Sequence, residues 1–148
     1  MENLPHVAFE LALVRRNESG GRDWEIFLTQ RGENDPFWPN EWGMPGTIIQ
    51  QNERIQTAYL RLVGEEVRGR GDFSLLQFVG ISEFPKGGSQ YKCRRGHEIA
   101  LIHIIVSNGK NLPGGEFFPF GELPRNTIGH HRTMVKVVWK FLAELLRL

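Results

Sequence analysis

Apolar positions at the start of the chain fall into two strand-like patterns. His6–Val14 is apolar at almost every position, as in a strand covered on both faces, and Trp24–Gln30 alternates through Trp24, Ile26 and Leu28. The polar stretch between them contains Asn17, Ser19 and the pair Gly20-Gly21, so the two strands predict a hairpin. A loop rich in Gly, Pro and aromatic residues follows (31–42), then a short apolar segment, Thr47–Ile49, and a polar turn, Gln50–Asn52. From there Ile55, Ala58, Leu62 and Val63 recur at helical spacing. Asn52 is the expected N-cap and Glu53 the expected first-turn acid of this helix.

The second half repeats the two periods. Arg68–Asp72 breaks the chain, and Phe73–Phe84 and His97–Val106 read as strands around a polar loop, Pro85–Gly96. His103 is expected to be a satisfied core histidine; Lys86, Lys92, Arg94 and Arg95 could greet phosphates, although a solvated hairpin tip is the plainer reading. After a turn-rich stretch (107–115) comes a closing helix with Met134, Val135, Val138, Phe141, Leu142 and Leu145 on one face. Strands and helices in this order fit an α/β fold, a mixed sheet lying between helices.

The candidate chemistry gathers on the first helix. Glu65 and Glu66 are adjacent carboxylates, which raise each other's energy unless something compensates them. One reading is a solvated face neutralised by Arg61 and Arg68, with Arg61 paired to Glu65 four residues on. The other is a hard-cation site, because Mg²⁺ takes oxygen ligands and commonly uses one or two carboxylates together with substrate phosphates. Arg31 could meet phosphate, and Trp38 or Phe37 could stack on a base or sugar, although loop packing is the plainer role for both rings. Glu98 stands at the mouth of a strand, and His130 and His131 at the start of the last helix could face an active cleft, although surface caps are the plainer role.

Residues 42–66 resemble the Nudix box. Trp42-Gly43-Met44-Pro45-Gly46, then Glu53, Arg61, Val63, Glu65 and Glu66 match the family pattern, with Gln30-Arg31 upstream. Six residues rather than five separate Gly46 from Glu53, Leu62 replaces a glutamate, and Arg68 stands at a usual glycine. The resemblance implies an α/β/α sandwich with a mixed sheet, formed by one domain over residues 1–148. It also implies Mg²⁺- or Mn²⁺-dependent hydrolysis of a nucleoside diphosphate linked to another group. On the matching positions, Glu65, Glu66 and the Gly46 carbonyl would hold the metal, Arg61 would orient Glu65, and Glu53 would brace the loop. Glu116–Pro124 resembles a late Nudix segment, which makes Glu116 a further metal ligand or base. Because the family usually carries a carboxylate at position 62, Leu62→Glu would be expected to strengthen metal binding. The extra residue before Glu53 and the leucine at 62 also resemble GDP-mannose mannosyl hydrolases, which implies a nucleotide-sugar alternative. A nucleotide-binding module without catalysis is the third reading.

Composition narrows the partners. The 148 residues carry a formal net charge of +1, which provides no broad field for nucleic acid or membrane. The single cysteine, Cys93, rules out an intrachain disulfide and multi-cysteine zinc sites, and is expected to be a small packed residue. No apolar run approaches the ~20 residues of a membrane span, and the start lacks the pattern of a signal peptide. The expectation is a soluble cytoplasmic protein acting on a nucleotide or nucleotide sugar, with a homodimer compatible.

Overall fold

A strand that is apolar at almost every position must be covered on both faces, and the architecture follows from meeting that need for β1. The computed structural model describes residues 4–17, 24–67, 75–89, 91–107 and 112–146, with Glu66 described by its backbone alone. The expected turn at Ser19–Gly21, the break at Arg68–Asp72 and part of the 107–115 stretch lie outside the described residues. The strands are β1 (His6–Arg16), β2 (Trp24–Gln30), β3 (Trp42–Gly43), β4 (Gly46–Ile48), β5 (Gln77–Phe84), β6 (Glu98–Val106) and β7 (Glu116–Pro119). The helices are α1 (Ile55–Leu62), which runs on into a π-helical turn at Val63–Val67, and α2 (Gly129–Leu146).

The sheet order is β3-β2-β1-β6-β5, with β4 paired to β1 and β7 to β2. Strand β1 is antiparallel to β2 and β4 but parallel to β6 from His6↔Glu98 to Val14↔Val106. The sheet is therefore mixed. Alternate residues of β1 supply two separate cores. Ala12 and Val14 pack with Ile102, Ile104, Met134, Val138 and Leu142 on the α2 side. Phe9, Leu11 and Leu13 pack with Phe27, Ala58, Tyr59 and Leu62 on the α1 side. Strand β2 departs from the simple alternation, because Ile26, Phe27 and Leu28 are all fully buried between the same two layers.

Helix α1 departs from expectation at both ends. It begins at Ile55 after an extended Arg54 and has no side-chain cap. Asn52 instead holds the preceding turn with φ at 63°, a left-handed conformation that asparagine tolerates better than most residues. Ile55 is largely exposed, and Tyr59 takes its place in the packed face. On α2, Met134, Val135, Val138 and Leu142 are buried as expected, while Leu145 is exposed.

Candidate functional site

Short-range chain economy builds the first half of the site. Strand β4 pairs with β1 at Ala8↔Ile48, Phe9↔Thr47 and Glu10↔Gly46. Gly46 therefore faces Glu10 directly, and a Cβ there would lie 2.6 Å from the Glu10 Cδ. Only glycine lets this backbone approach the carboxylate so closely. Glu10 itself is buried, at 4% exposure.

Arg61 binds this loop to the helix. Its Nε donates to Glu53 Oε2 (3.0 Å) and its Nη2 to Glu53 Oε1 (2.9 Å) and to the Ile48 carbonyl (3.0 Å). Its Nη1 donates to Thr47 Oγ1 (2.7 Å). Glu53 also accepts the Gln50 N–H (3.0 Å). The Arg61 hydrogen bonds, then the Gln50 N–H, hold the Glu53 carboxyl down at about 2. The expected Arg61–Glu65 pairing is thus replaced by Arg61–Glu53. Glu53, lying just before the helix, offers both oxygens to the planar guanidinium, and two loop oxygens complete the set. Glu65 acts on Arg61 through its charge alone. Glu65 is exposed on the π-helical turn, and the side chain of Glu66 lies outside the description.

Leu62 faces the core rather than a cleft. It is 1% exposed and packs in the α1 core with Tyr59 and Phe9. The π-helical turn after it changes the register, so spacing four apart no longer means a common face.

The second half of the site comes from distant segments. Ala8, Glu10, Arg31, Trp38, Gly46–Ile48, Arg95, Glu98, His130 and His131 line one small cleft of about 30 Å³. The structure thus brings Arg31, Trp38 and Gly46 together but leaves Glu65 and Glu116 off this lining. Glu116 is exposed on β7, opposite Leu28 of β2. Trp38 is buried at 5% and packs at a tilt against His130, with ring centroids 5.4 Å apart. Its neighbour Phe37 is more exposed, with its ring tilted against Trp38 at a centroid distance of 5.7 Å. Asp35 Oδ1 accepts the N–H groups of Phe37 and Trp38 and so sets this aromatic turn. The expected solvated tip also docks here. Arg94 Nη1 donates to the Phe37 carbonyl (3.1 Å), and Arg95 Nη2 donates to Glu98 Oε1 (3.3 Å). A larger groove of about 970 Å³, between Trp24, Phe120 and Trp139, contains no residue of the box.

His130 and His131 are not surface caps, since both are 2% exposed. Trp42 receives an N–H from Ile128 and donates one to Asn126, which draws the start of α2 onto the box turn. Met44 N–H then donates to His131 Nδ1 (2.8 Å). Gly43 makes room, because a Cβ there would lie 2.7 Å from that nitrogen. Burial, then the charges of His130, Arg31 and Arg95, push the His131 pKa well down. Burial lowers that of His103, which stacks on Phe9 at 4.4 Å.

An imidazole held neutral in this way takes up its proton more readily in the unfolded chain. Its contribution to stability is therefore complete above about pH 6.5 and is lost as the pH falls below that value. His131→Asn, whose Oδ1 can accept the Met44 N–H without titrating, should flatten the acid limb of the stability curve. His131→Ala should cost about 1–3 kcal/mol for the unpaired buried N–H. Urea midpoints measured between about pH 5 and 8 decide this, and equal acid slopes for wild type and His131→Asn would refute it.

Glu10 went unrecognised in the sequence, although a lone carboxylate in an otherwise apolar strand is a readable signal. The partnership of Glu98 with His130 was not readable, because their positions in the chain are far apart.

A family model described as the NUDIX domain matches residues 5–144. Among solved structures, a mutT/nudix family protein from Listeria innocua superposes with a TM-score of 0.73 at 19% identity, covering 97% of this chain and 98% of that one. The NUDIX domain of Shewanella oneidensis NrtR, complexed with ADP ribose, gives 0.72 at 14%, covering 95% and 90%. A MutT NUDIX hydrolase from Burkholderia pseudomallei gives 0.65 at 17%, covering 92% and 99%. At these identities the likeness is one of fold. No curated protein sequence matches this one.

Proposed function

This chain belongs to the Nudix family, and from that premise we propose that it is a metal-dependent hydrolase cleaving a nucleoside diphosphate linked to another group. The observation that carries the reading is the Arg61 clamp, which ties Glu53, Thr47 and Ile48 into one rigid loop-and-helix unit. A loop held by four guanidinium hydrogen bonds is positioned for chemistry rather than merely charged.

The donor chemistry suits a hard dication. Because Arg61 is committed to Glu53, the exposed Glu65 carboxylate is left for other work, and the glycine at 46 lets the backbone approach the Glu10 carboxylate beside the cleft. Glu65 and Glu66, with the Gly46 carbonyl, would hold Mg²⁺ or Mn²⁺. When bound, such an ion neutralises diphosphate charge and makes water a better nucleophile. Arg31 and Arg95 face the cleft and would receive phosphate oxygens. Phe37, rather than the packed Trp38, would cover a base or sugar. The ADP ribose held by the NrtR domain is a ligand of the proposed class. Glu116 keeps only the role of an outer carboxylate. The single domain spanning 1–148 is part of the same proposal.

The burial of Leu62 favours a second reading, a nucleotide-binding module without turnover, because no carboxylate occupies that position. A panel of nucleoside diphosphate conjugates, nucleotide sugars and dinucleotides with Mg²⁺ and Mn²⁺, with products identified by mass, separates the two. Phosphate-bond cleavage supports the hydrolase, release of free sugar supports the nucleotide-sugar alternative, and tight binding without product supports the module. Glu65→Gln should weaken Mn²⁺ binding at least about tenfold by calorimetry, since it keeps shape and removes one hard ligand. Unchanged affinity would remove Glu65 from the ligand set.

A further inference from the structure

We propose that Cys93, Glu98 and His130 together hold a divalent transition cation of the zinc class, at a site separate from the Glu65–Glu66 carboxylates and independent of the hydrolase reading. The ligand atoms of these three residues lie within 4.8 Å of one another, and all three residues are buried. They come from three segments: the loop before β6, the first residue of β6 and the first turn of α2.

The surroundings hold each ligand in place. Cys93 N–H donates to the Pro85 carbonyl (2.8 Å), and the Cys93 carbonyl accepts from Gly87 (3.1 Å) and Gly96 (3.3 Å), so the loop is folded about this residue. The His130 ring packs among Trp38, Phe84 and His131, at centroid distances of 5.4, 5.0 and 4.6 Å. Glu98 divides its two oxygens: Oε1 takes the Arg95 hydrogen bond, while Oε2 is buried with no hydrogen-bond partner among the described residues.

That oxygen lies 3.5 Å from His130 Nε2. A buried ion pair is the simpler account, but its two members would be expected to close to about 2.7–2.9 Å. A carboxylate oxygen buried without a donor is costly unless something else satisfies it. A cation between Oε2, Nε2 and Sγ would satisfy it, with Arg95 on Oε1 acting as the outer partner that fixes the carboxylate. Tetrahedral zinc places such ligands roughly 3.3–3.7 Å apart, so side-chain closure of about 1 Å completes the set. The cleft of about 30 Å³ that Glu98 and His130 also line has room for a water as fourth ligand.

Ligand type selects the ion. A thiolate with an imidazole and a carboxylate suits Zn²⁺ or Co²⁺, whereas Mg²⁺ takes oxygen ligands. Binding replaces the thiol proton with the metal and releases that proton to solvent, so affinity should rise with pH. The bound ion would staple the 85–96 loop and the start of α2 to β6, beside the proposed substrate cleft.

Titration of the purified, metal-free full chain with Co²⁺ tests this. Cys93 is the only cysteine, so a thiolate-to-cobalt charge-transfer band in the near ultraviolet can arise only from it. The expected result is one such band saturating at one equivalent, erased by Zn²⁺ and retained in Glu65→Gln. Cys93→Ser should lose the band and bind Zn²⁺ at least about tenfold more weakly. Folded wild-type protein that shows no thiolate band, or a band that survives in Cys93→Ser, would overturn the proposal. If Cys93→Ser does not fold, the wild-type band and its displacement by Zn²⁺ decide alone. None of these readouts depends on turnover, so a failed substrate panel leaves the test intact.

Discussion

Leu62→Glu is expected to unfold the protein, or nearly so, rather than to restore a metal ligand. Leu62 is 1% exposed and sits with Ala58, Tyr59 and Val63 against Phe9, Leu11 and Phe27. A carboxylate there either keeps its charge without water or a partner, or takes up a proton and still lacks hydrogen bonds. The cost should be about 3–5 kcal/mol, a large part of what a domain of this size possesses. Leu62→Met, which conserves volume, should cost less than about 1.5 kcal/mol, and Leu62→Ala about 2–5 kcal/mol. Denaturant midpoints rank the three. A folded Leu62→Glu of near wild-type stability with tighter Mn²⁺ binding would show that this side chain reaches the cleft. The natural leucine would then be a lost metal ligand rather than a core residue.

Arg61→Ala should produce the largest loss of activity without touching substrate. The substitution removes the four hydrogen bonds by which Arg61 ties Glu53, Thr47 and Ile48 to the helix, and loosens the segment that follows Gly46. Misplacement of reacting groups by about 1 Å commonly costs on the order of 100-fold, and kcat for the best substrate should fall by that much. Arg61→Lys should recover little, because an ammonium cannot reproduce the planar fork that meets both Glu53 oxygens. The pH dependence differs from that of His131. Glu53 is held at about 2, so the clamp's contribution is complete above about 4.5 and is lost only as the pH falls from there toward 2. Equal kcat values for Arg61→Ala and wild type would show that the clamp does not position the site.

Period and spacing determined most of the architecture. Strand β1 and the two helices follow from apolar recurrence that local geometry must obey, and β6 was readable as a continuous apolar run. The box was legible because Gly46, Glu53 and Arg61 act within one short loop and helix, where sequence distance and spatial distance nearly coincide. Tertiary structure decided what spacing could not express. Whether Arg61 met Glu65 or Glu53 depended on the turn before α1 and the π-helical turn after it. Whether Leu62 faced metal or core depended on where β1 placed Phe9. His130 and His131 resembled surface residues because polar pairs at helix starts usually are. They are buried because Trp42, Met44 and Ile128 pull α2 against a turn that lies 87 residues from His131 in the chain. The grouping of Cys93, Glu98 and His130 likewise needs three segments to converge. No local pattern encodes that convergence, because it follows from the parallel pairing of β1 with β6 and the packing of α2 across them.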